Sequence, residues 1–158
     1  MRRNATLLAP RLSNVRGVGA AQRTMLYLMS DTRVPAIKVV MHPKDTNAYG
    51  TIFGGVILAH IDTASAVEAQ RHGPHKFVTK AMREVVFVEP VFVGDLVNFF
   101  TETVRVGRTS VTVKVTVESE RLERGFGERV KVTEAEVILV AIDAHGRPRP
   151  IRPEPVQA

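Results

Sequence analysis

One carboxylate stands in a stretch that has little use for it. Asp62 lies within Leu58-Ala59-His60-Ile61-Asp62-Thr63-Ala64-Ser65, where burial of a charge is costly unless it is paired or hydrogen-bonded. Either it faces solvent or a neighbouring hydroxyl, or it is kept for chemistry. Gly54-Gly55 open the same stretch. Glycines at a helix start leave the backbone N–H groups unobstructed toward whatever binds there, and those groups stabilise a developing oxyanion. A carboxylate base and an oxyanion site are what acyl-transfer hydrolysis needs when no Ser or Cys nucleophile is used.

The spacing sets a condition. Asp62 follows Gly54 by eight residues, about 12 Å along a helix axis, too far for both to act on one carbonyl. A two-fold partner with an antiparallel helix brings Asp62 of one subunit to Gly54 of the other. A site made from these groups therefore lies at a dimer interface.

Other chemistries drop out. The chain has no cysteine, which removes disulfides, thiolate metal sites, Fe–S clusters and a cysteine nucleophile. It contains no G-x-S-x-G elbow, P-loop, H-E-x-x-H or complete G-x-G-x-x-G. His72 and His75 flank Gly73-Pro74 with no carboxylate close in sequence, so no metal site is expected.

The elements that must hold Asp62 follow from periodicity. Ile57, Ile61 and Ala64, with Val56, His60, Thr63 and Val67 on an adjacent face, predict a helix from about Gly54 to His72. Gly73-Pro74 stops it. Apolar residues on more than one face and few charges predict that it is largely buried. His42 to Gly50 is a polar loop, and Ala36 to Met41 is a first strand. Four further strands are expected at Phe77–Val88, Leu96–Val106, Thr109–Arg121 and Val130–Ile142, with a turn at Gly125-Phe126-Gly127. Alternation is clearest in Val111, Val113, Val115 and Val117 against Thr112, Lys114, Thr116 and Glu118. Short connections predict an antiparallel meander of four strands, hence an α+β domain whose sheet wraps the helix. The tail from Arg147 is expected to be irregular.

The length of 158 residues fits one domain, and 44% apolar with 24% charged residues is a globular composition. No apolar run approaches the roughly 20 residues that span a bilayer. The net charge of +6 is concentrated at the start: residues 1–40 hold seven Lys/Arg and one acid, while residues 41–158 balance. Nucleic-acid binding needs clustered charge on the folded surface, so no nucleic-acid partner is expected. We divide the chain into a basic leader at 1–30, disordered or transit-like, a domain at 31–152 and a tail at 153–158. Leu7-Leu8-Ala9 is too short for a secretory core. A cytoplasmic location is expected, or a mitochondrial one if the leader is a transit peptide.

One stretch is more specific than any of these patterns: Met41-His42-Pro43-Lys44-Asp45-Thr46-Asn47-Ala48-Tyr49-Gly50-Thr51-Ile52-Phe53-Gly54-Gly55, followed by Asp62. With Phe87-Val88-Glu89-Pro90-Val91, Val93-Gly94-Asp95, Val106-Gly107-Arg108-Thr109-Ser110 and Thr133-Glu134-Ala135, it resembles the hotdog-fold acyl-CoA thioesterases of the YciA-like and brain acyl-CoA hydrolase-like group. The resemblance runs from Val39 to Ile151. It implies a central helix wrapped by an antiparallel sheet, a double-hotdog homodimer and assembly as a trimer of dimers. It further implies acyl-CoA as substrate, with CoA as part of the substrate and no separate cofactor.

The resemblance assigns roles residue by residue. Asp62 matches the acid that activates or orients water, and Asn47 the asparagine that positions water or thioester across the interface. Gly54 and Gly55 match the helix start that polarises the thioester carbonyl. Arg108, Thr109 and Ser110 match the segment near the CoA nucleotide and phosphates. The plainer alternatives are an Asx-turn at Asn47 and an ordinary hairpin at Gly107 to Ser110. Two departures stand out. Relatives often carry an acid followed by Ser or Gly where this chain has Arg83-Glu84-Val85-Val86-Phe87, and Thr63-Ala64-Ser65-Ala66 replaces glycines. The competing functions are a hotdog dehydratase or hydratase and a non-catalytic acyl-CoA-binding module.

Overall fold

The computed structural model describes residues 33–121 and 129–152. The leader at 1–30, the turn at Gly125-Phe126-Gly127 and the tail at 153–158 lie outside the described residues. The chain divides into Met1–Arg33 and Val34–Ala158, and the second unit carries all the elements below.

Among the described residues one α-helix, α1 (Gly54–Ala69), and five strands make the fold: β1 (Ile37–Val40), β2 (Lys76–Arg83), β3 (Leu96–Val106), β4 (Ser110–Glu120) and β5 (Arg129–Ile142). The helix passes into a short 3-10 turn at Gln70–His72 and stops at Gly73, whose φ of 134° suits glycine alone. Its buried side chains are Ile57, Ile61, Ala64, Ser65, Glu68 and Ala69, a single stripe at helical period. The sheet covers one side only, and Ala59, Thr63 and Val67 on the other side are exposed within the chain.

All strands pair antiparallel in the order β1-β3-β4-β5-β2. The four valines Val111, Val113, Val115 and Val117 are fully buried against Ile57, Ile61, Val137 and Leu139, each side chain contributing about 1.5–3 kcal/mol of apolar burial. The curled five-strand sheet wrapped on one helix is the expected α+β hotdog plan.

The meander is corrected in one respect. β3, β4 and β5 follow one another as expected, but β2 pairs with β5 rather than β3. The strand expected over Phe77–Val88 ends at Arg83. Glu84 turns the backbone to φ 36°, and residues 84–95 then cross the sheet to β3, beside the opposite edge strand β1. On the way Thr133 Oγ1 donates to the Val86 carbonyl at 2.9 Å. Val88 N donates to Val132 O at 2.9 Å, Ile52 N to Val91 O at 2.8 Å and Gly94 N to Met41 O at 2.9 Å. A twelve-residue connection permits this crossing, which a tight hairpin forbids.

The described residues after Arg147, 148–152, are not loose. Arg149 N donates to Ala141 O at 2.9 Å and Ile151 N to Arg108 O at 2.8 Å, and Ile151 is buried. They have no regular dihedral pattern yet are pinned to the end of the sheet.

Candidate active site

α1 begins without the usual side-chain cap. Phe53 occupies the N-cap in an extended conformation, with no side-chain hydrogen bond and no acid in the first turn, where Ser, Thr, Asp or Asn is preferred. The first N–H groups, at Gly54 and Gly55, are thereby left for an external acceptor. Backbone bonds fix the approach: Phe53 N donates to Asp45 O and Ile52 N to Val91 O, each at 2.8 Å. A Cβ at Gly55 would collide with the Phe53 ring, whereas one at Gly54 would rest 3.5 Å from the Phe87 ring. Beside this helix start lies a cavity of about 310 Å³ lined by Thr51, Gly54, Ile57, Phe87, Pro90 and Val91. Its apolar walls and adjacent N–H donors suit an acyl group with a polar carbonyl.

Two turns along, Asp62 is partly buried. Thr79 Oγ1 on β2 donates to its Oδ1 at 2.5 Å, while Oδ2 engages no donor among the described residues. Of the two plain alternatives, a neighbouring hydroxyl is therefore the one realised, but only at one oxygen. Thr79 was not singled out in the sequence because the contact spans 17 residues from helix to sheet edge.

Asn47 lies in the loop before α1. Its Oδ1 accepts from Tyr49 N at 2.8 Å and Thr51 N at 3.3 Å, and its Nδ2 donates to Thr51 Oγ1 at 2.8 Å. The Asx-turn is thus present, and within one chain this side chain is spent on the loop. Arg108, Thr109 and Ser110 sit at the β3–β4 hairpin, closed by Gly107 N to Ser110 O at 2.7 Å. The structure brings Gly54 and Gly55 together with the cavity and Asp62 together with Thr79. It does not bring Asp62, Asn47 and Gly54 to one point within the chain, in keeping with the eight-residue separation on α1.

A second acid on α1 went unremarked in the sequence. Glu68 is 5% exposed and accepts from Thr101 Oγ1 at 3.1 Å and Thr103 Oγ1 at 2.9 Å, with the Arg71 guanidinium at 3.3 Å. Its spacing from Ile57, Ile61 and Ala64 was the available signal. His72 Nε2 bonds Thr103 Oγ1 at 2.8 Å and His75 Nε2 bonds the Ile151 carbonyl at 3.0 Å. Among the described residues no group of three His, Cys, Asp or Glu is placed to hold a metal ion, and no helix is long and apolar enough to cross a membrane.

A wider hollow, about 550 Å³, is lined by Arg83, Glu84, Glu134, Ala135 and Glu136. Glu134 among them is already partnered: Lys114 Nζ and Lys131 Nζ each reach it at 2.8 Å. Hydrogen bonds from Lys114, then Lys131, hold the Glu134 carboxyl below the ordinary carboxylate range. Four of the hollow's five lining residues are charged, whereas the smaller cavity at Gly54 joins Ile57, Phe87 and Val91 to the N–H groups of the helix start, the better match to an acyl carbonyl.

Residues 49–125 match the Thioesterase superfamily. The chain is 36% identical over 122 residues to the acyl-CoA thioester hydrolase YciA of Salmonella typhimurium strain LT2, covering 77% of this chain and 90% of that protein. Among solved structures it is similar to a hexameric hotdog-fold thioesterase of Campylobacter jejuni, at 42% identity and TM-score 0.71 over 75% of this chain and 90% of that one. It is also similar to a hexameric, broad-specificity acyl-coenzyme A thioesterase solved with one aspartate replaced by alanine. There the identity is 35% and the TM-score 0.73, over 80% and 91% of the two chains.

Proposed function

We infer that this chain, which belongs to the thioesterase superfamily and within it to the YciA-like group, hydrolyses acyl-CoA thioesters to the free acid and CoA. The observation that carries the chemistry is Asp62, a carboxylate held at one oxygen and open at the other.

In this reading the thioester carbonyl accepts hydrogen bonds from the Gly54 and Gly55 N–H groups of one protomer. Charge developing on that oxygen is stabilised by donors fixed before the reaction begins. The partner subunit's Asp62 then takes a proton from water as that water attacks the carbonyl carbon. Alternatively, the carboxylate attacks directly, giving a transient anhydride that water opens. Either route expels CoA as a thiolate, a good leaving group, so positioning and oxyanion stabilisation carry most of the work. Asn47, locked by its own turn, is assigned to orient water or thioester across the interface. Arg108, Thr109 and Ser110 are assigned to the CoA nucleotide and phosphates.

The reading requires a homodimer at least, and the hexameric relatives support a trimer of dimers. No step calls for a metal or organic cofactor. We place the reaction in the cytoplasm, or in mitochondria should residues 1–30 act as a transit peptide.

The test is thiol release from acyl-CoAs of increasing chain length, with Asp62→Asn as control. Release by the wild-type chain and its loss in the variant are expected. No release from any chain length, or undiminished release by Asp62→Asn, would overturn the reading.

A further inference from the structure

Strand β2 contains an irregularity that bears on the proposed base. Phe77 and Met82 both pack against the core, although five residues separate them and strict alternation would put them on opposite faces. The difference is made up by a bulge: the register on β5 shifts between Thr79 and Ala81, leaving Lys80 without a partner. Before the bulge Phe77 and Thr79 share the helix-facing side, and after it Met82 does. Without the extra residue, a strand that kept Met82 inward would turn position 79 away from α1.

The purpose of that arrangement is not packing. Thr79 is exposed, and its notable contact is the hydrogen bond to Asp62 Oδ1 at 2.5 Å, at the short end for a hydroxyl donating to a carboxylate. A β-branched side chain has a stiff χ1, so the bulge fixes where the hydroxyl lies. An aspartate on a helix has two rotatable bonds, and a single donor at Oδ1 removes most of their freedom while leaving Oδ2 unengaged.

We propose that Thr79 is the positioning residue for Asp62, holding one carboxylate oxygen so that the other is presented to the water or thioester. The proposal rests on Asp62 being the working carboxylate. Thr79 does not itself touch the reacting atoms, and its contribution is orientation, where a misplacement of about 1 Å costs on the order of a hundredfold.

The test compares Thr79→Val, which keeps the branched shape and removes the donor, with Thr79→Ser, which keeps the donor. Both are measured as full-length oligomers for acyl-CoA hydrolysis, alongside Asp62→Asn and the double variant Asp62→Asn/Thr79→Val. We expect kcat of Thr79→Val to fall about ten- to a hundredfold with KM within about twofold. Thr79→Ser should stay within about fivefold of wild type, and the double variant should be no slower than Asp62→Asn alone. Wild-type kcat in Thr79→Val would overturn the proposal, as would an equal loss in Thr79→Ser or a further loss in the double variant. Undiminished activity in Asp62→Asn would instead overturn the assignment of the base.

Discussion

Two acids stand on α1, six residues apart and on different faces, and their surroundings are opposite. Glu68 is buried, with both oxygens accepting from threonines of β3 and an arginine alongside. Asp62 is partly open, with one hydroxyl at one oxygen and, among the described residues, no donor at the other. Glu68 is turned into the sheet with a partner at each oxygen, whereas Asp62 has a partner at one oxygen only among the described residues. Satisfaction of lone pairs, rather than burial alone, separates the carboxylate that ties helix to sheet from the one available for chemistry.

Breaking the two sites should give opposite phenotypes. Asp62→Asn is expected to lower turnover by about a hundred- to ten-thousandfold while denaturant unfolding and oligomer size stay near wild type. Glu68→Ala is expected to do the reverse. With Thr101 and Thr103 deprived of their acceptor, unfolding in urea should show a loss of about 1–3 kcal/mol, with turnover retained at temperatures where the protein remains folded. Equal loss of activity in both variants would erase the distinction.

A third acid sharpens it. Glu84 adopts φ 36°, a left-handed conformation that costs a side-chain-bearing residue roughly 1–2 kcal/mol relative to glycine. It stands at the point where β2 gives way to the crossing segment. Glu84→Gly is therefore expected to stabilise the fold by up to about 1 kcal/mol, since glycine loses more chain entropy on folding, with little change in kcat. A destabilised Glu84→Gly would mean that the side chain contributes more than its backbone strain takes away.

How legible all this was depends on the range of the signal. The α1 stripe and the Val111 to Val117 alternation are local patterns, and they located α1 and β4 to within a few residues, whereas β2 ends five residues before its expected limit. Strand order was misjudged because it depends on where residues 84–95 travel, which no local pattern records. Asp62 stood out as an acid among apolar neighbours. Glu68 shares that helix and its spacing placed it on the buried stripe, yet only the threonines across on β3 reveal its role. Thr79 is a further case: its meaning lies in a bulge and a contact to α1, both invisible in Val78-Thr79-Lys80. Asn47 was read both as a turn former and as a site residue; the turn is present, and its catalytic role awaits the two-chain assembly.

The central claim is that each site takes its glycine pair from one protomer and its carboxylate from the other. Co-expression of Asp62→Asn chains with Gly54→Val chains, whose valine would occupy the cavity that Gly54 lines, tests it most directly once each is shown to be inactive alone. In a mixed dimer one site regains both wild-type parts while the other loses both, so random pairing should restore about a quarter of wild-type thiol release per site. Release no greater than that of the separate variants, from a preparation shown to contain mixed dimers, would contradict the claim.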